Sequence, residues 1–182
     1  ANQVSDVRRQ LGIEDDRFLV FWNNRNARRK QSGSLVFWYK EFMDKLKKKN
    51  KNAKTTLLMH TEVNDPNGQD LYAIANKLGL NANDPKEFLV SSEKMIIENL
   101  SVIYSTADVT ISVSDAEGFG LATFESLACE TPIITTMTGG LQEQVTNIKK
   151  ISDNIISKRN AKNAGKCVEY AHGLGLEPAS RA

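Results

Sequence analysis

Short apolar runs alternate with helical patterns along most of this chain of 182 residues. The apolar runs are RFLVFW, TTLLMH, EFLV, DVTISVS and TPIITT, each with the length and composition of a buried strand. The segments between them carry apolar residues at helical spacing. Strands that alternate with helices form a parallel sheet whose right-handed crossovers place helices on both faces. The sequence therefore predicts an α/β fold of the Rossmann-like class.

The composition is that of a globular domain, since 40% of the residues are apolar and 25% are charged. A net charge of +2 gives no indication of nucleic-acid binding. The two cysteines, Cys129 and Cys167, lack the spacing of a metal or redox pair, which favours a reducing compartment. No apolar run approaches the roughly 20 residues that cross a bilayer, and the first residues are polar, unlike a signal peptide. We therefore expect a cytoplasmic protein.

We expect one domain over residues 1–182, with a helical tail over residues 147–182. Within the domain, the segment LVFWYKEFMDKL has apolar residues spaced for a helix with one buried face, namely Leu35, Tyr39, Phe42, Met43 and Leu46. The tail is rich in Lys and Asn, shows a weak helical pattern near residues 154–171 and carries no further convincing strand. The domain is therefore expected to be incomplete at this end.

Open parallel sheets bind their ligands at the carboxyl ends of the strands. Three predicted loops meet at that edge, and they comprise residues 23–32, 91–93 and 115–120. Candidate functional residues are therefore sought in these loops and in the helices that follow them.

The stretch EGFGLATFE, residues 117–125, has the form of an anion site. It follows a buried strand and opens a helix, so the unpaired amides and the dipole of the helix start point out of the sheet edge. Gly118 and Gly120 allow a sharp bend and a close approach by a ligand. Glu125 lies about one turn into the helix, where it can accept hydrogen bonds from hydroxyl groups on a bound anion. Glycine turns and acidic residues near a helix start are also common for structural reasons alone.

A basic cluster in the loop after the first strand is expected at the same edge. The sequence NNRNARRK contains Arg25, Arg28, Arg29 and Lys30. Such clusters are usually solvated, and we interpret Arg28 and Arg29 in this way. Arg25 and Lys30 can instead converge with the helix start on one phosphate group.

Motifs of several other enzyme classes are absent from the sequence. The first strand-to-helix turn lacks G-x-G-x-x-G, which disfavours a dinucleotide-binding dehydrogenase. There is no G-x-x-x-x-G-K-[ST] of a P-loop nucleotidase and no G-x-S-x-G nucleophile elbow. No Asp-x-Asp motif or His/Cys cluster offers a metal site.

The segment ADVTISVSDAEGFGLATFESLACETPIITTMTGG, residues 107–140, resembles the C-terminal donor-binding domain of retaining glycosyltransferases with the GT-B fold, of the family 4 (group 1) type. The shared pattern is an Arg and a Lys five positions apart, a Ser before two spaced glutamates, and a di-glycine turn. The matching positions are Arg25, Lys30, Ser114, Glu117, Glu125, Gly139 and Gly140. A looser resemblance extends over residues 4–145.

The resemblance implies that a hexosyl group is transferred from a nucleotide-diphosphate sugar with retention at the anomeric carbon. Glu117, Arg25 and Lys30 are the candidate catalytic residues: the two cations would neutralise the leaving diphosphate without a metal ion, and Glu117 would contact the transferred sugar. Glu125 would hold the ribose hydroxyls, and the base would lie against residues 91–95. The candidate donor-binding residues are Gly118, Phe119, Gly120, Leu121, Ala122, Glu125, Ser92 and Met95.

The chain departs from the family pattern in several places. Asn24 replaces the usual Gly before the Arg, and Ser91 and Ser92 stand where a Gly is common. The N-terminal acceptor-binding domain is absent from this sequence, so we expect a fragment that is inactive without that partner domain. The family's catalytic histidine, where present, belongs to that domain and is matched by neither His60 nor His172. His60 ends a predicted strand and can line the cleft, but a structural role is favoured for it, and an exposed position is expected for His172.

Two other functions remain open. Nucleotide-sugar 2-epimerases share the GT-B layout, although the Arg/Lys pair and the spaced glutamates favour a transferase. The second is a non-catalytic sugar-nucleotide-binding module that makes contacts through the helix LVFWYKEFMDKLKKKNK. The lysines of this helix can contact an anionic membrane surface. Lysines at a helix C-terminus are also favoured simply because they interact with the negative end of the helix dipole. These lysines are Lys45, Lys47, Lys48, Lys49 and Lys51.

Overall fold

The computed structural model describes residues 2–80, 86–146, 167–170 and 173–176 of the chain. Strands and helices alternate as the apolar pattern predicts. The strands are β1 (Phe18–Asn23), β2 (Thr55–His60), β3 (Phe88–Ser91), β4 (Val109–Ser112), β5 (Ile133–Thr136), β6 (Cys167–Tyr170) and β7 (Gly173–Leu176). The helices are α1 (Asn2–Gln10), α2 (Ser32–Lys49), α3 (Leu71–Lys77), α4 (Ile97–Thr106), α5 (Leu121–Ala128) and α6 (Gly139–Thr146). A turn of 3-10 helix, Arg28–Lys30, precedes α2.

The described strands form one sheet in the order β3-β2-β1-β4-β5-β7-β6. Strands β1 to β5 are all parallel, and β7 continues the parallel arrangement beside β5. Among the described strands only β6, at the edge, runs antiparallel to its neighbour. The predicted Rossmann-like parallel sheet is therefore confirmed.

Strands β6 and β7 lie in the tail, where the sequence predicted no further strand. The predicted helical pattern over residues 154–171 is wrong for Cys167–Tyr170, which form β6, and the rest of that segment lies outside the described residues. Strand β7 has the sequence GLGL, and glycine is depleted in strands, so the segment gives little strand signal of its own. Its register runs from Ile133↔Gly173 to Thr136↔Leu176, so the backbone groups of β5 supply the pairing partners.

Strand β1 is the centre of the core and is buried on both faces of the sheet. Leu19 and Phe21 pack into one core cluster, while Val20 and Trp22 pack into the other, as strand alternation requires. Helices α2 and α3 cover the Trp22 face; the residues after α1, together with α4, cover the Phe21 face. The ring of Phe21 meets the ring of Tyr104 edge to face, with 5.0 Å between centroids. The prediction of helices on both faces is confirmed.

Helix α2 buries a narrower face than the sequence predicted. Val36, Tyr39 and Met43 lie within the core, but Phe42 is 42% exposed, because it lies at the margin of the stripe that these three residues form. Phe37 and Trp38 are exposed as well. This helix therefore presents three aromatic side chains to solvent.

The lysines at the end of α2 do not all point into solvent. Lys47 forms an ion pair with Glu87, whose side chain is buried, whereas Lys45, Lys48 and Lys49 are exposed. Among the described helices none is long and apolar enough to cross a membrane.

A buried arginine fixes the amino ends of β1 and β2. Arg17 donates from Nε to Glu14 Oε2 at 2.7 Å and from Nη1 to the Thr55 carbonyl oxygen at 3.0 Å. Lys86 donates to the other oxygen of Glu14 at 3.2 Å. Hydrogen bonds from Arg17, from a backbone amide and from Lys86 together lower the pKa of Glu14 from 4.5 to about 2.

We expect Glu14→Gln to lower the free energy of unfolding near neutral pH and to have a diminishing effect in acid. The carboxylate titrates at a lower pH in the folded than in the unfolded chain, so its stabilisation is complete above pH 4.5 and disappears as the pH falls towards about 2. Urea unfolding across this range measures the difference between variant and wild type.

The control for this experiment is Glu41→Gln. The Glu41 carboxylate is exposed and lies 3.9 Å from Lys45, so the variant is expected to match the wild type at every pH. A penalty for Glu14→Gln that stays constant with pH would contradict the assignment.

Two glycines at the start of α6 allow this helix to lie directly against the loop of residues 117–120. The Gly140 amide donates to the Gly118 carbonyl oxygen at 2.9 Å. A Cβ atom on Gly139 would lie 1.9 Å from the Glu117 carbonyl oxygen, and one on Gly140 would lie 2.3 Å from that of Gly118. Both contacts are with backbone, which cannot move aside as a flexible side chain can. The di-glycine turn therefore sets the position of this loop.

We expect Gly140→Ala to destabilise the chain by about 1–3 kcal/mol, because the added methyl group overlaps the backbone of the facing loop. Gly118→Ala is the matched control in that same loop, since a Cβ there meets nothing within 4 Å. Its effect on stability should stay within about 0.5 kcal/mol. Urea unfolding of both variants makes the comparison, and equal losses would show that the close approach does not matter.

Candidate functional site

The loops that follow β1 and β4 lie side by side at the carboxyl edge of the sheet, because these two strands pair directly. The Asp115 amide donates to the Arg29 carbonyl oxygen at 2.8 Å, and Gln31 Nε2 donates to Asp115 Oδ2 at 2.7 Å. The strand order reverses between β1 and β4, with β2 and β3 on one side and β5 on the other. Ligands of open α/β sheets bind at such a reversal.

Lys30 and Glu117 meet across the two loops as a buried ion pair. Their side chains are only 8% and 14% exposed, and Lys30 Nζ donates to Glu117 Oε2. The same ammonium group donates to Asn24 Oδ1 at 2.8 Å. Because removing one partner of a buried ion pair is costly, the pair ties the two loops together. Two of the candidate catalytic residues are thus in direct contact.

Arg29 also contributes to this junction. Its Nη1 donates to the Ala116 carbonyl oxygen at 2.9 Å and lies 3.4 Å from Glu117 Oε2. The sequence predicted solvated side chains for Arg28 and Arg29, and both residues are exposed. For Arg29 that prediction was incomplete, since the guanidinium group also binds the facing loop.

The start of α5 presents unpaired backbone amides. Gly120 precedes the helix in the left-handed region, at φ 85° and ψ 63°, where glycine is favoured. Gln144 Nε2 donates to the carbonyl oxygens of Phe119 and Gly120, at 2.5 and 3.0 Å, and so holds the turn. The first amides of the helix have no carbonyl partner within it, and the helix dipole adds partial positive charge at this end. This is a favourable location for an anion.

A cavity of about 400 Å³ opens between the loops and α5. Its lining includes the Lys30 cation, the start of α5 and two carboxylates, one of which is paired with Lys30. Its lining residues are Asn23, Asn24, Lys30, Glu117, Gly118, Phe119, Gly120, Leu121, Ala122 and Glu125. Most of the site residues that the sequence predicted are therefore brought together.

Arg25, Ser92 and Met95 do not line this cavity. Arg25 is 63% exposed and forms an ion pair with Asp65 in the loop after β2. The hydrogen bond from Arg25 lowers the pKa of Asp65. Ser92 lines a second cavity, of about 770 Å³, together with Asp65. Met95 packs, partly buried, against the core cluster on the Phe21 face of the sheet.

Glu125 is held by Tyr104, a residue that belongs to none of the sequence motifs. Tyr104 Oη donates to Glu125 Oε2 at 2.9 Å and accepts from Asn23 Nδ2 at 2.8 Å. Burial raises the pKa of Tyr104, and its bond to Glu125 raises it further. From sequence alone, Tyr104 is one more apolar position of α4, so only the fold identifies it as a neighbour of the site.

The sequence assigned no catalytic role to either of the two histidines. His60 ends β2 as predicted, and its Nδ1 lies 3.1 Å from Ser91 Oγ. Burial lowers the pKa of His60. His172 lies outside the described residues. Within the described part of the chain no three His, Cys, Asp or Glu side chains are grouped closely enough to hold a metal ion.

Curated relatives of the chain are glycosyltransferases. The D-inositol 3-phosphate glycosyltransferase of Mycobacterium leprae (strain TN) is 28% identical over 112 residues, which cover 62% of this chain and 24% of the relative. The corresponding enzyme of Corynebacterium jeikeium (strain K411) is 46% identical over 44 residues, or 24% of this chain and 10% of the relative. The chain therefore spans a quarter or less of the length of these relatives.

Solved structures share the fold over most of the chain. A sucrose-phosphate synthase from Thermosynechococcus elongatus superposes with a TM-score of 0.57 at 30% identity, over 78% of this chain and 33% of its own. A glycosyltransferase from Rickettsia africae ESF-5 superposes with a TM-score of 0.61 at 22% identity, over 80% of this chain and 35% of its own. Residues 5–171 match the family model described as glycosyl transferases group 1. The chain therefore belongs to the glycosyl transferases group 1 family, as a C-terminal domain of the GT-B fold.

Proposed function

We propose that this domain binds a nucleotide-diphosphate sugar and serves as the donor half of a retaining glycosyltransferase. The observation that carries the proposal is the composition of the 400 Å³ cavity. Its lining combines groups that bind anions with two carboxylates that can accept hydrogen bonds from hydroxyl groups, and a nucleotide sugar requires that combination. Its phosphates are anionic, while the transferred sugar and the ribose on either side of them carry hydroxyl groups.

The diphosphate is assigned to Lys30 and the amides at the start of α5. Lys30 is buried and lines the same cavity as the start of α5, so its charge acts in a region of low solvent exposure where Coulombic attraction is stronger than in water. Charge on the leaving diphosphate increases as the sugar departs. Donors that are already oriented towards that charge stabilise the transition state more than the ground state.

The two glutamates are assigned to hydroxyl groups on either side of the diphosphate. Glu117 precedes the helix and faces the transferred hexosyl group, while Glu125 lies in the second turn and faces the ribose. Both carboxylates line the cavity. Ionised carboxylates are acceptors only, so they suit hydroxyl donors and repel phosphate oxygens. The order of Glu117, the diphosphate site and Glu125 would therefore set the orientation of the nucleotide sugar in the cavity.

Arg25 is proposed as a second cation for the diphosphate, although it contacts Asp65 in the structure. Its side chain is long and mostly exposed, so a change of rotamer can bring the guanidinium group from Asp65 to a doubly charged ligand. Two cations neutralise the leaving group without requiring a metal ion. The base is assigned to the neighbourhood of Ser92 and Met95, beside the loop after β3.

An acceptor-binding domain is proposed to cover the open side of the cavity. Phe119, Leu121 and Phe124 are 51%, 67% and 52% exposed, and the first two line the cavity itself. An apolar rim of this kind is typical of a surface that another domain covers. The proposed transfer of a hexosyl group to an acceptor depends on that second domain.

Calorimetric titration with UDP, GDP and ADP tests the assignment of the diphosphate. We expect at least one of them to bind, and Lys30→Gln to weaken that binding by about tenfold or more, because a charge-assisted contact is lost. Glutamine keeps a donor for Glu117 and Asn24, which limits damage to the loops. Lys54→Gln is the matched control, since Lys54 is paired with Asp16 at the opposite edge of the sheet. No binding of any nucleotide by the wild type at millimolar concentration would refute the proposed function.

Substitutions of Arg25 and of Asp65 are expected to change the affinity for nucleotide in opposite directions. Arg25→Ala should weaken nucleotide binding, because a cation for the diphosphate is removed. Asp65→Asn should strengthen it, because the competing carboxylate no longer holds the guanidinium group. The Arg25 side chain is mostly exposed, whereas that of Asp65 is only 6% exposed and also accepts from the Asn67 amide at 2.8 Å, so urea unfolding of both variants accompanies the titration. The same titration distinguishes them, and losses of affinity in both variants would exclude this role for Arg25.

A further inference from the structure

A chain of hydrogen bonds connects the sheet to the carboxylate of Glu125. Asn23 is the last residue of β1, and its Nδ2 donates to Tyr104 Oη at 2.8 Å. Tyr104, near the end of α4, donates in turn to Glu125 Oε2 at 2.9 Å. The tyrosine hydroxyl thus links the end of β1 to the carboxylate group on α5.

The direction of these bonds follows from the chemistry of the groups. An ionised carboxylate accepts hydrogen bonds only, so the single proton of Tyr104 points to Glu125. The phenol oxygen then accepts from the amide of Asn23, which is a donor at Nδ2. Glu125 Oε2 is therefore occupied, whereas Oε1 accepts no hydrogen bond from the described side chains and remains available to a ligand.

Tyr104 is well suited to hold another side chain in place. It is only 1% exposed, and its ring packs edge to face against Phe21 in the core. Glu125 is half-buried and has several rotatable bonds, so without such a partner it would lose conformational freedom when a ligand bound. A carboxylate that is already fixed avoids this cost at the moment of binding.

We propose that Tyr104, supported by Asn23, is a positioning residue that orients Glu125 to accept the hydroxyl groups of a ribose. This inference rests on the proposed function and extends it to a choice between ligands. A half-buried acceptor that is fixed in place rejects a ligand without the matching hydroxyl, because the acceptor then remains unpaired. The domain therefore prefers ribonucleoside diphosphates to their 2′-deoxy counterparts, and Tyr104 contributes to that preference.

The experiment titrates the full chain with UDP, GDP and ADP, with the 2′-deoxy form of each, and with inorganic pyrophosphate. Tyr104→Phe keeps the ring that packs against Phe21 and removes only the hydroxyl group. We expect it to weaken binding of the ribonucleotide by about tenfold, to reduce the preference over the 2′-deoxy form, and to leave pyrophosphate binding unchanged. Loss of affinity for all three kinds of ligand would indicate general damage and overturn the inference.

Tyr39→Phe is the matched control. The Tyr39 hydroxyl is also buried and makes a hydrogen bond of 2.8 Å, to Thr55 Oγ1, but it lies in the core away from the cavity. This variant is expected to lose a comparable amount of stability and no nucleotide affinity. Equal losses of ribonucleotide affinity in the two variants would overturn the inference.

A double-mutant cycle with Glu125→Gln tests whether Tyr104 acts through Glu125. If it does, Tyr104→Phe has no further effect on ribonucleotide binding once Glu125 is replaced. Additive losses would show that Tyr104 acts by another route. If the wild type binds no nucleotide, the proposed function fails together with the inference. If it binds nucleotide and Tyr104→Phe changes nothing, only the inference fails.

Discussion

Strand β1 pairs with β2 on one side and with β4 on the other, and the geometry of the site depends on that position. Phe21 and Trp22 are fully buried on opposite faces, so a slip of one residue would exchange the two and expel both from their core clusters. The register of β1 is therefore fixed by packing. The fixed register also fixes the end of β1, where Asn23 and Asn24 contact different partners. Asn23 donates to Tyr104, and the side chain of Asn24 accepts from Lys30.

The ion pair of Lys30 and Glu117 has two consequences that act in opposite directions. A buried ammonium group without a partner would be strongly disfavoured, and Glu117 supplies that partner at the cavity. The same carboxylate competes with an incoming anion for that charge. In the proposed function, the affinity for a diphosphate is the difference between the new contacts and the part of the old pair that is lost. Arg29, 3.4 Å from Glu117 Oε2, would then remain as a partner for the carboxylate if Lys30 turned to the proposed ligand.

The sequence was sufficient for the parts of the molecule that local patterns determine. Five strands, the helices on both faces and the convergence of Lys30 with the EGFG turn follow from apolar periodicity and from the strand-to-loop order. Phe42 was misjudged, because the width of a buried helical stripe depends on the shape of the surface beneath it. The pairing of Arg25 with Asp65 joins residues 40 positions apart, and the contact of Tyr104 with Glu125 depends on how two helices lie against each other. No local pattern specifies a rotamer or a contact of this kind.

The contacts around the cavity fall into two groups that respond differently to a ligand. The Gly140 amide and the Gln144 side chain donate to carbonyl oxygens of the loop of residues 117–120, and a diphosphate, which offers only acceptors, cannot replace these donors. The ion pairs of Lys30 and Arg25 are made by side-chain cations, and a phosphate group is a stronger competitor for such cations than a single carboxylate. Binding of a nucleotide sugar would therefore exchange ion pairs on a backbone that is already in position. The cost of binding then lies in side-chain rotamers rather than in loop movement, and a domain with fixed loops retains the orientation of its glutamates while its cations change partners.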